Sequence, residues 1–248
     1  MITFIDANCM VGQRNVCREG SAASISDYVE IMTRCGIEKA IVYHCIAKEN
    51  DILTGNNCLD NDFSGNELFI KQWGVIPNST GEFIPEDTLL SEMKKHNVST
   101  VRMFPAIQDY SLKPYASGKL IHTLAEANVP ICIEKSQLSW EDMYALCTTY
   151  PEARFVLCDT GYRCLRHIMP ILEACDNLFI ETSTFLMHNG IREICRNFGA
   201  ERLIFGSGLP EHSATAATSL IRYADISDEE KRKIASENIL KLLSEVRL

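Results

Sequence analysis

The sequence predicts an α/β protein with a single (β/α)8 TIM barrel, and three observations support this fold class. The chain has 248 residues, about the usual length of one such barrel. Short β-rich segments alternate with longer helical patterns along the whole chain, without an internal repeat or a linker. The strand candidates are apolar on both faces, as burial in a parallel sheet requires. The expected domain therefore spans 1–248.

Eight strand candidates follow one another along the chain. They lie at 2–6, 39–45, 68–76, 98–104, 129–134, 153–158, 177–182 and 202–206. Helices are predicted at 25–35, 86–96, 117–127, 139–149, 163–176 and 188–198, with a helical tail from 212 to the end. Cap signals support these helices: Ser24 and Gly36 flank the first one, and Ser139 and Ser227 each precede acidic first turns.

The stretch 46–67 is predicted to be irregular. It is rich in Asn, Asp and Gly, residue types that favour turns. Because it follows the second strand, it would lie at the catalytic end of the barrel. The sequence leaves two alternatives there, a lid over the mouth and a mobile surface excursion.

Charge and cysteine content restrict the partners and the compartment. A formal net charge of -9 argues against binding to nucleic acid and to anionic membranes. The 11 cysteines form no C-x-x-C pair, and most lie in apolar segments, where reduced thiols pack as small hydrophobes. The sequence shows neither a signal peptide nor an apolar run of about 18 residues. These features predict a cytoplasmic protein.

Four segments carry a family resemblance. They are Phe4–Gly12, Phe179–Ser183, Gly199–Pro210 and the closing helix from Glu229 to Ile239. The first resembles a "hydrophobic-Asp-Ala-His-x-His-x-Gly" strand, and the third resembles "Gly-x-x-Arg-hydrophobic-Phe-Gly-Ser-Asp-x-Pro". Together they resemble the amidohydrolase-related TIM-barrel family, which includes small-acid decarboxylases of the aminocarboxymuconate semialdehyde type.

The resemblance implies a divalent metal at the barrel mouth, held by histidines of the first, fifth and sixth strands and an aspartate of the eighth. A metal of this kind lowers the pKa of bound water toward about 7. Here every ligand position has changed, to Asn8, Met10, Glu134, Asp159 and Gly208. An amide and a thioether are poor ligands for zinc, manganese or magnesium. The expectation is therefore a degenerate metal site and no metal cofactor.

Two cysteines near these positions raise the alternative of a thiolate–zinc site. They are Cys9 and Cys158. Strand alternation turns Cys9 away from the face of Asn8 and Met10, and Cys158 away from that of Asp159. Buried structural thiols are therefore predicted.

Polar residues still occupy the strand ends, where the function of a TIM barrel lies. The predicted catalytic residues are Lys135, Glu134, Asp159 and His44, and the predicted substrate-binding residues are Arg102, Asn8 and His212. Arg102 and Lys135 are suited to clamp a carboxylate or phosphate. Alternatively, both cations pair with Glu134 and Asp159 as a structural charge network in the vacated metal space.

Other residues near the strand ends have a structural alternative. Asp6 is expected to hydrogen-bond to backbone, because a buried acid needs a partner. His44 lies in an apolar strand, so a buried core histidine is as compatible with the pattern as a catalytic one.

Three functional hypotheses follow. The first is a hydrolase or lyase acting on a small carboxylate-bearing molecule without the usual metal. The second is a non-catalytic small-molecule-binding barrel. The third is a hydrolase whose zinc or manganese is held by Glu134, Asp159 and His44. The sequence leaves the substrate and the oligomeric state open, although closed homo-oligomers are common among soluble proteins.

Overall fold

A parallel sheet of eight strands in sequence order forms the centre of the structure. The computed structural model describes residues 2–16, 22 and 24–248. The strands are β1 (Phe4–Val11), β2 (Ile37–His44), β3 (Phe69–Gly74), β4 (Val98–Met103), β5 (Pro130–Glu134), β6 (Arg154–Cys158), β7 (Leu178–Glu181) and β8 (Leu203–Ile204). The end of β8 returns to β1: the Ala7 N–H donates to the Phe205 carbonyl at 3.0 Å, and the Met10 N–H donates to the Leu209 carbonyl at 2.8 Å. The sheet thus closes into the predicted TIM barrel.

Helices connect successive strands. They are α1 (Ile25–Cys35), α2 (Cys45–Glu49), α3 (Ile52–Asp62), α4 (Glu86–Lys95), α5 (Pro114–Glu126), α6 (Trp140–Thr149), α7 (Leu165–Ala174), α8 (Gly190–Phe198), α9 (Ala214–Arg222), α10 (Asp228–Arg232) and α11 (Asn238–Ser244). Within the described part of the chain, no helix has the length and apolarity needed to cross a bilayer.

Most predicted boundaries agree with the structure to within three residues, and only the end of β1 differs by more. β1 continues to Val11 instead of ending at residue 6, because Met10 and Val11 pair with the last residues of β2. β8 is reduced to two residues, because the segment after Ile204 bonds to β1 through separate contacts outside a regular ladder.

The predicted caps are present, and the helical tail predicted from 212 to the end is divided into α9, α10 and α11. Ser24 and Ser227 form capping boxes with Asp27 and Glu230, and Gly36 adopts the left-handed conformation with φ of 73°. Ser139 accepts a hydrogen bond from the Asp142 backbone. The Ser227 capping box begins a new helix after α9 has ended. A π-helical turn then separates α10 from α11.

The prediction of an irregular 46–67 segment is also wrong, because its polar residues cap and anchor helices α2 and α3. His44 and Asp51 accept backbone N–H groups at the two N-termini. The buried Asn56 side chain donates to the Gly74 carbonyl at 2.9 Å and accepts from the Gly74 N–H at 2.8 Å. This pair attaches α3 to the C-terminal end of β3, so the segment is packed against the barrel.

Two apolar layers surround the strands. The larger one lies between the sheet and the helices. The smaller one contains residues of β1, β2, β5, β6 and β8 together with Ile239 and Leu242 of α11. Asn238 fixes the start of α11 by donating to the Ala200 and Leu203 carbonyls, both at 2.8 Å. The polar strand ends therefore lie above an apolar base.

We predict that Asn56→Ala lowers the free energy of unfolding by about 1–3 kcal/mol, because it leaves buried groups of Gly74 without partners. Urea unfolding followed by circular dichroism measures the change. Asn57→Ala is the matched control, since Asn57 is exposed on the same helix. Equal losses in the two variants would contradict the anchoring role of Asn56.

Candidate active site at the barrel mouth

A fully buried guanidinium lies at the centre of the barrel mouth. Arg102, near the end of β4, is 0% exposed. Its Nε donates to Gln72 Oε1 at 2.8 Å, Nη1 to Glu134 Oε1 at 3.4 Å and Nη2 to Asn8 Oδ1 at 2.9 Å. The guanidinium carbon lies 4.2 Å from the Tyr43 ring centroid, within the range of a cation–π contact. Arg102 therefore binds residues from strands on both sides of the mouth.

Glu134, the last residue of β5, is held by two cations. Besides Arg102, it accepts from Lys48 Nζ at 3.0 and 2.8 Å and from the Tyr43 hydroxyl at 3.2 Å. Burial alone would raise the pKa of Glu134, but Arg102 and Lys48 hold it below its ordinary value. Glu134 is therefore an ion-pair partner at neutral pH. Sequence reasoning missed Lys48 because it lies in the segment predicted to be irregular.

A second carboxyl cluster lies on the other side of Asn8. The Asn8 amide donates to Glu181 Oε2 at 2.9 Å and to Asp159 Oδ2 at 3.3 Å. The Ser183 hydroxyl lies 2.8 Å from Glu181 Oε2 and 3.1 Å from Asp159 Oδ1. Its oxygen is thus within hydrogen-bond distance of both carboxyl groups. Asp159 is partly exposed, whereas Glu181 is 0% exposed.

Burial and the neighbouring Asp159 carboxylate raise the pKa of Glu181 to about 8, against the hydrogen bonds from Ser183 that favour its charged form. Glu181 is therefore largely protonated at pH 7. A perturbed carboxyl beside a second carboxyl is typical of acid–base sites. Sequence reasoning missed Glu181, although a polar residue that ends a matched apolar strand is the same signal that identified Glu134.

Asp6 has the structural role expected as an alternative. Its Oδ1 accepts the backbone N–H groups of Asn8 at 3.0 Å and Ser207 at 2.8 Å, and Oδ2 accepts the Ser207 hydroxyl. Burial raises the pKa of Asp6 to about 6 despite these bonds. Asp6 thereby joins β1 to the segment after β8 and positions Asn8.

Three predicted site residues make their contacts outside the cluster around Arg102 and Asn8. Lys135 begins a 3-10 turn, donates to the Leu138 carbonyl at 2.9 Å and lies over the Trp140 ring. His44 accepts from a backbone N–H of α2 at 3.2 Å, and burial lowers its pKa. His212 is exposed beyond β8. The structure therefore brings together Asn8, Arg102, Glu134 and Asp159 of the predicted set.

The predicted orientation of Cys158 is wrong. Its Sγ lies 3.7 Å from Arg102 Nη2, on the barrel interior. Cys132 lies in the same interior cluster and accepts from Gln72 Nε2 at 3.2 Å. Strand alternation fails here because Asp159 leaves the extended conformation, with φ of 52°. Both thiols are buried, in agreement with a structural role.

The donor set at the mouth does not fit the divalent metal that the resemblance implies. The Arg102 guanidinium binds Asn8 and Glu134, so a positive charge already lies between two of the corresponding positions. Met10 packs in the core between the strands and helices. Within residues 2–16, 22 and 24–248, no group of three or more His, Cys, Asp or Glu is placed to hold a metal. This includes the hypothesised set of Glu134, Asp159 and His44.

The eighth-strand position also lacks a metal-ligating side chain. Gly208 has φ of 68°, a conformation that favours glycine. A Cβ added there would lie 2.6 Å from Cδ2 of His212. An aspartate at this position would therefore require the His212 ring to move.

The family follows from the sequence comparison together with this fold. A family model described as amidohydrolase matches residues 80–244, about two thirds of the chain. This chain belongs to the amidohydrolase family. No curated protein matches it by sequence.

Solved structures share the fold across the full chain. An uncharacterised TIM-barrel protein from Bordetella bronchiseptica is 13% identical, with 98% of this chain and 99% of that chain covered and a TM-score of 0.77. A 2,6-dihydroxybenzoate decarboxylase from Rhizobium is 12% identical, with the same coverage and TM-score. A dihydroxybenzoic acid decarboxylase from Polaromonas with bound manganese is 14% identical, with 98% and 97% covered and a TM-score of 0.74. At these identities the likeness shows the fold of this chain.

We predict that Arg102→Met lowers the free energy of unfolding by about 3–5 kcal/mol, because Glu134 loses a buried cationic partner and Asn8 and Gln72 lose a donor. Urea unfolding at pH 7 measures the loss. Arg34→Met, an exposed position on α1, is the control and should change stability little. An unchanged midpoint for Arg102→Met would show that the guanidinium does not hold the mouth together.

Proposed function

We propose that this amidohydrolase-family chain is a metal-independent lyase that removes the carboxyl group of a small carboxylate-bearing molecule at the barrel mouth. One observation carries the proposal: the Ser183 hydroxyl lies between the buried acid Glu181 and the partly exposed Asp159. This arrangement is a proton path from the interior to the side of the mouth that a substrate reaches.

The path has a proton source at its inner end. Since the pKa of Glu181 is raised to about 8, its carboxyl holds a proton at neutral pH. Ser183 can accept that proton and pass its own to Asp159, over distances of 2.8 and 3.1 Å. Asp159 is the group that touches the substrate in this proposal. General acid catalysis of this kind typically contributes about 10²–10⁴-fold to a rate.

Decarboxylation needs a proton donor beside the substrate carbon, and the Glu181–Ser183–Asp159 path supplies one. The carbon–carbon bond to the carboxylate breaks, its electron pair stays on the substrate carbon, and CO2 leaves. Asp159, a carboxylate at rest, receives a proton from Glu181 through Ser183 and delivers it to that carbon, after which solvent restores the proton of Glu181. The overall reaction consumes one proton and needs neither an oxidant nor an activated water.

Two further observations favour a lyase over a hydrolase. Hydrolysis needs activated water, and the residues at the mouth do not fit the metal that activates water in metal-dependent hydrolases. Two solved structures with the same fold are a dihydroxybenzoate and a dihydroxybenzoic acid decarboxylase. The Polaromonas protein has bound manganese, whereas our proposal assigns the central positive charge of this chain to Arg102.

We predict that the protein contains well below one equivalent of zinc or manganese, because an arginine occupies the space between the donor positions. Plasma mass spectrometry on protein purified without chelator or affinity tag measures the content. A full equivalent that is lost in Glu134→Ala or Asp159→Ala would contradict the metal-independent proposal and favour a metal-dependent enzyme.

We predict that Glu181→Gln and Ser183→Ala each lower kcat by about 10²–10⁴-fold, because each interrupts proton delivery. The wild-type rate should fall as pH rises through about 8, where Glu181 loses its proton, and this decline should be missing in Glu181→Gln. Release of CO2 from hydroxybenzoates and small aliphatic acids is the assay. Ser91→Ala, an exposed position on α4, is the control.

The same assay also separates the lyase from a binding barrel. A carboxylate that binds tightly without turnover would favour the non-catalytic alternative and would overturn the lyase. Turnover that is insensitive to both Glu181→Gln and Ser183→Ala would refute the proton path.

A further inference from the structure

A cavity of about 550 Å³ opens between the loop that follows β6 and the loop that precedes α8. Both loops belong to the face that carries the barrel mouth. The cavity is lined by Tyr162, Arg163, Leu165, Arg166, Met187 and His188. Its rim carries basic side chains and its wall is apolar, whereas the barrel mouth is lined by charged groups that pair with one another.

Three basic side chains border the cavity without a carboxylate partner. Within the described residues, no Asp or Glu lies in ion-pair distance of Arg163, Arg166 or His188. On the neighbouring helix α8, in comparison, Arg192 pairs with Asp225 at 2.7 Å. The chain has a net charge of -9, so an uncompensated basic group is contrary to its overall electrostatics. Such a group attracts anions.

The rest of the cavity is apolar or aromatic. Leu165 and Met187 are partly buried there, and Met187 is held in place by Cys164, whose Sγ lies 3.6 Å from its Sδ. The guanidinium carbon of Arg163 lies 5.6 Å from the Tyr162 ring centroid. An anionic head and a compact apolar body would both find complementary groups in this cavity.

The cavity is formed by the loops that follow the strands carrying Asp159 and Glu181. Asp159 lies three residues before Tyr162, and Glu181 lies six residues before Met187. The two loops are joined by a hydrogen bond from the Gly161 N–H to Thr184 Oγ1 at 3.0 Å. The two loops that border the cavity are therefore joined to each other directly after the strand ends that carry Asp159 and Glu181.

We propose that this cavity is the subsite that binds a carboxylate group of an organic acid, with Arg163 and Arg166 as the anion-binding residues. The assignment of that acid as a substrate rests on the proposed lyase function. A guanidinium fork matches a carboxylate in a bidentate geometry, and the apolar wall selects an acid with a hydrophobic body over inorganic phosphate.

Benzoate is the probe that tests the subsite, because it combines one carboxylate with an apolar ring. Titration calorimetry at low ionic strength should show binding by the wild type that is weakened at least about tenfold in the Arg163→Gln/Arg166→Gln double variant. Arg196→Gln is the matched control, because Arg196 is an exposed arginine on nearby α8. Benzoate binding that is absent, unchanged in the double variant, or equally weakened in the control would overturn the proposal.

Inorganic phosphate and the catalytic variants complete the test. Phosphate that binds as tightly as benzoate, with the same dependence on the two arginines, would overturn the assignment to an organic acid. Glu181→Gln should lose turnover and keep benzoate affinity. If the wild type binds benzoate through the two arginines but turns over no acid, the lyase fails and the subsite stands. If turnover depends on Glu181 while KM is the same in the wild type and the double arginine variant, the subsite proposal is refuted and the lyase proposal stands.

Discussion

The burial of one guanidinium determines much of the mouth of this barrel. Arg102 is charged at every accessible pH, and at 0% exposure it needs acceptors from the protein itself. Gln72, Asn8 and Glu134 supply them from three different strands. Because one planar group binds all three, the relative positions of β1, β3, β4 and β5 are coupled at this level of the barrel.

The need to balance buried charge also involves the acid pair, Asp159 and Glu181. Glu134 balances Arg102 but also binds Lys48, which leaves a second positive charge to be balanced. Asp159 supplies the second negative charge on the other side of Asn8. Asp6, whose pKa is about 6, adds a third negative charge near Arg102. A further ionised carboxyl would increase this negative charge, which is consistent with the protonation of Glu181 at neutral pH. The charge of the interior and the chemistry of the mouth are thus parts of one arrangement.

The sequence predicted the barrel, most strand ends and the caps at Ser24, Gly36, Ser139 and Ser227, because these depend on local patterns. It failed at 46–67 because the Asn and Asp residues that favour turns in general here cap helices and bind backbone. At the mouth it identified residues by their position at strand ends. It could not foresee that a 3-10 turn directs Lys135 toward Trp140, or that distant residues such as Lys48 reach the same site, since both depend on tertiary geometry.

The contact between Gly208 and His212 restricts how this scaffold could change its chemistry in evolution. An aspartate at 208 would collide with the His212 ring, and a histidine at 8 would remove the oxygen that accepts from Arg102. A metal ion would meet the guanidinium charge until Arg102 itself was replaced, which would leave Glu134 short of a partner. Each single substitution toward a metal centre would therefore disturb contacts at the mouth before a metal could bind. A metal centre at this arginine-centred mouth would therefore require several simultaneous substitutions.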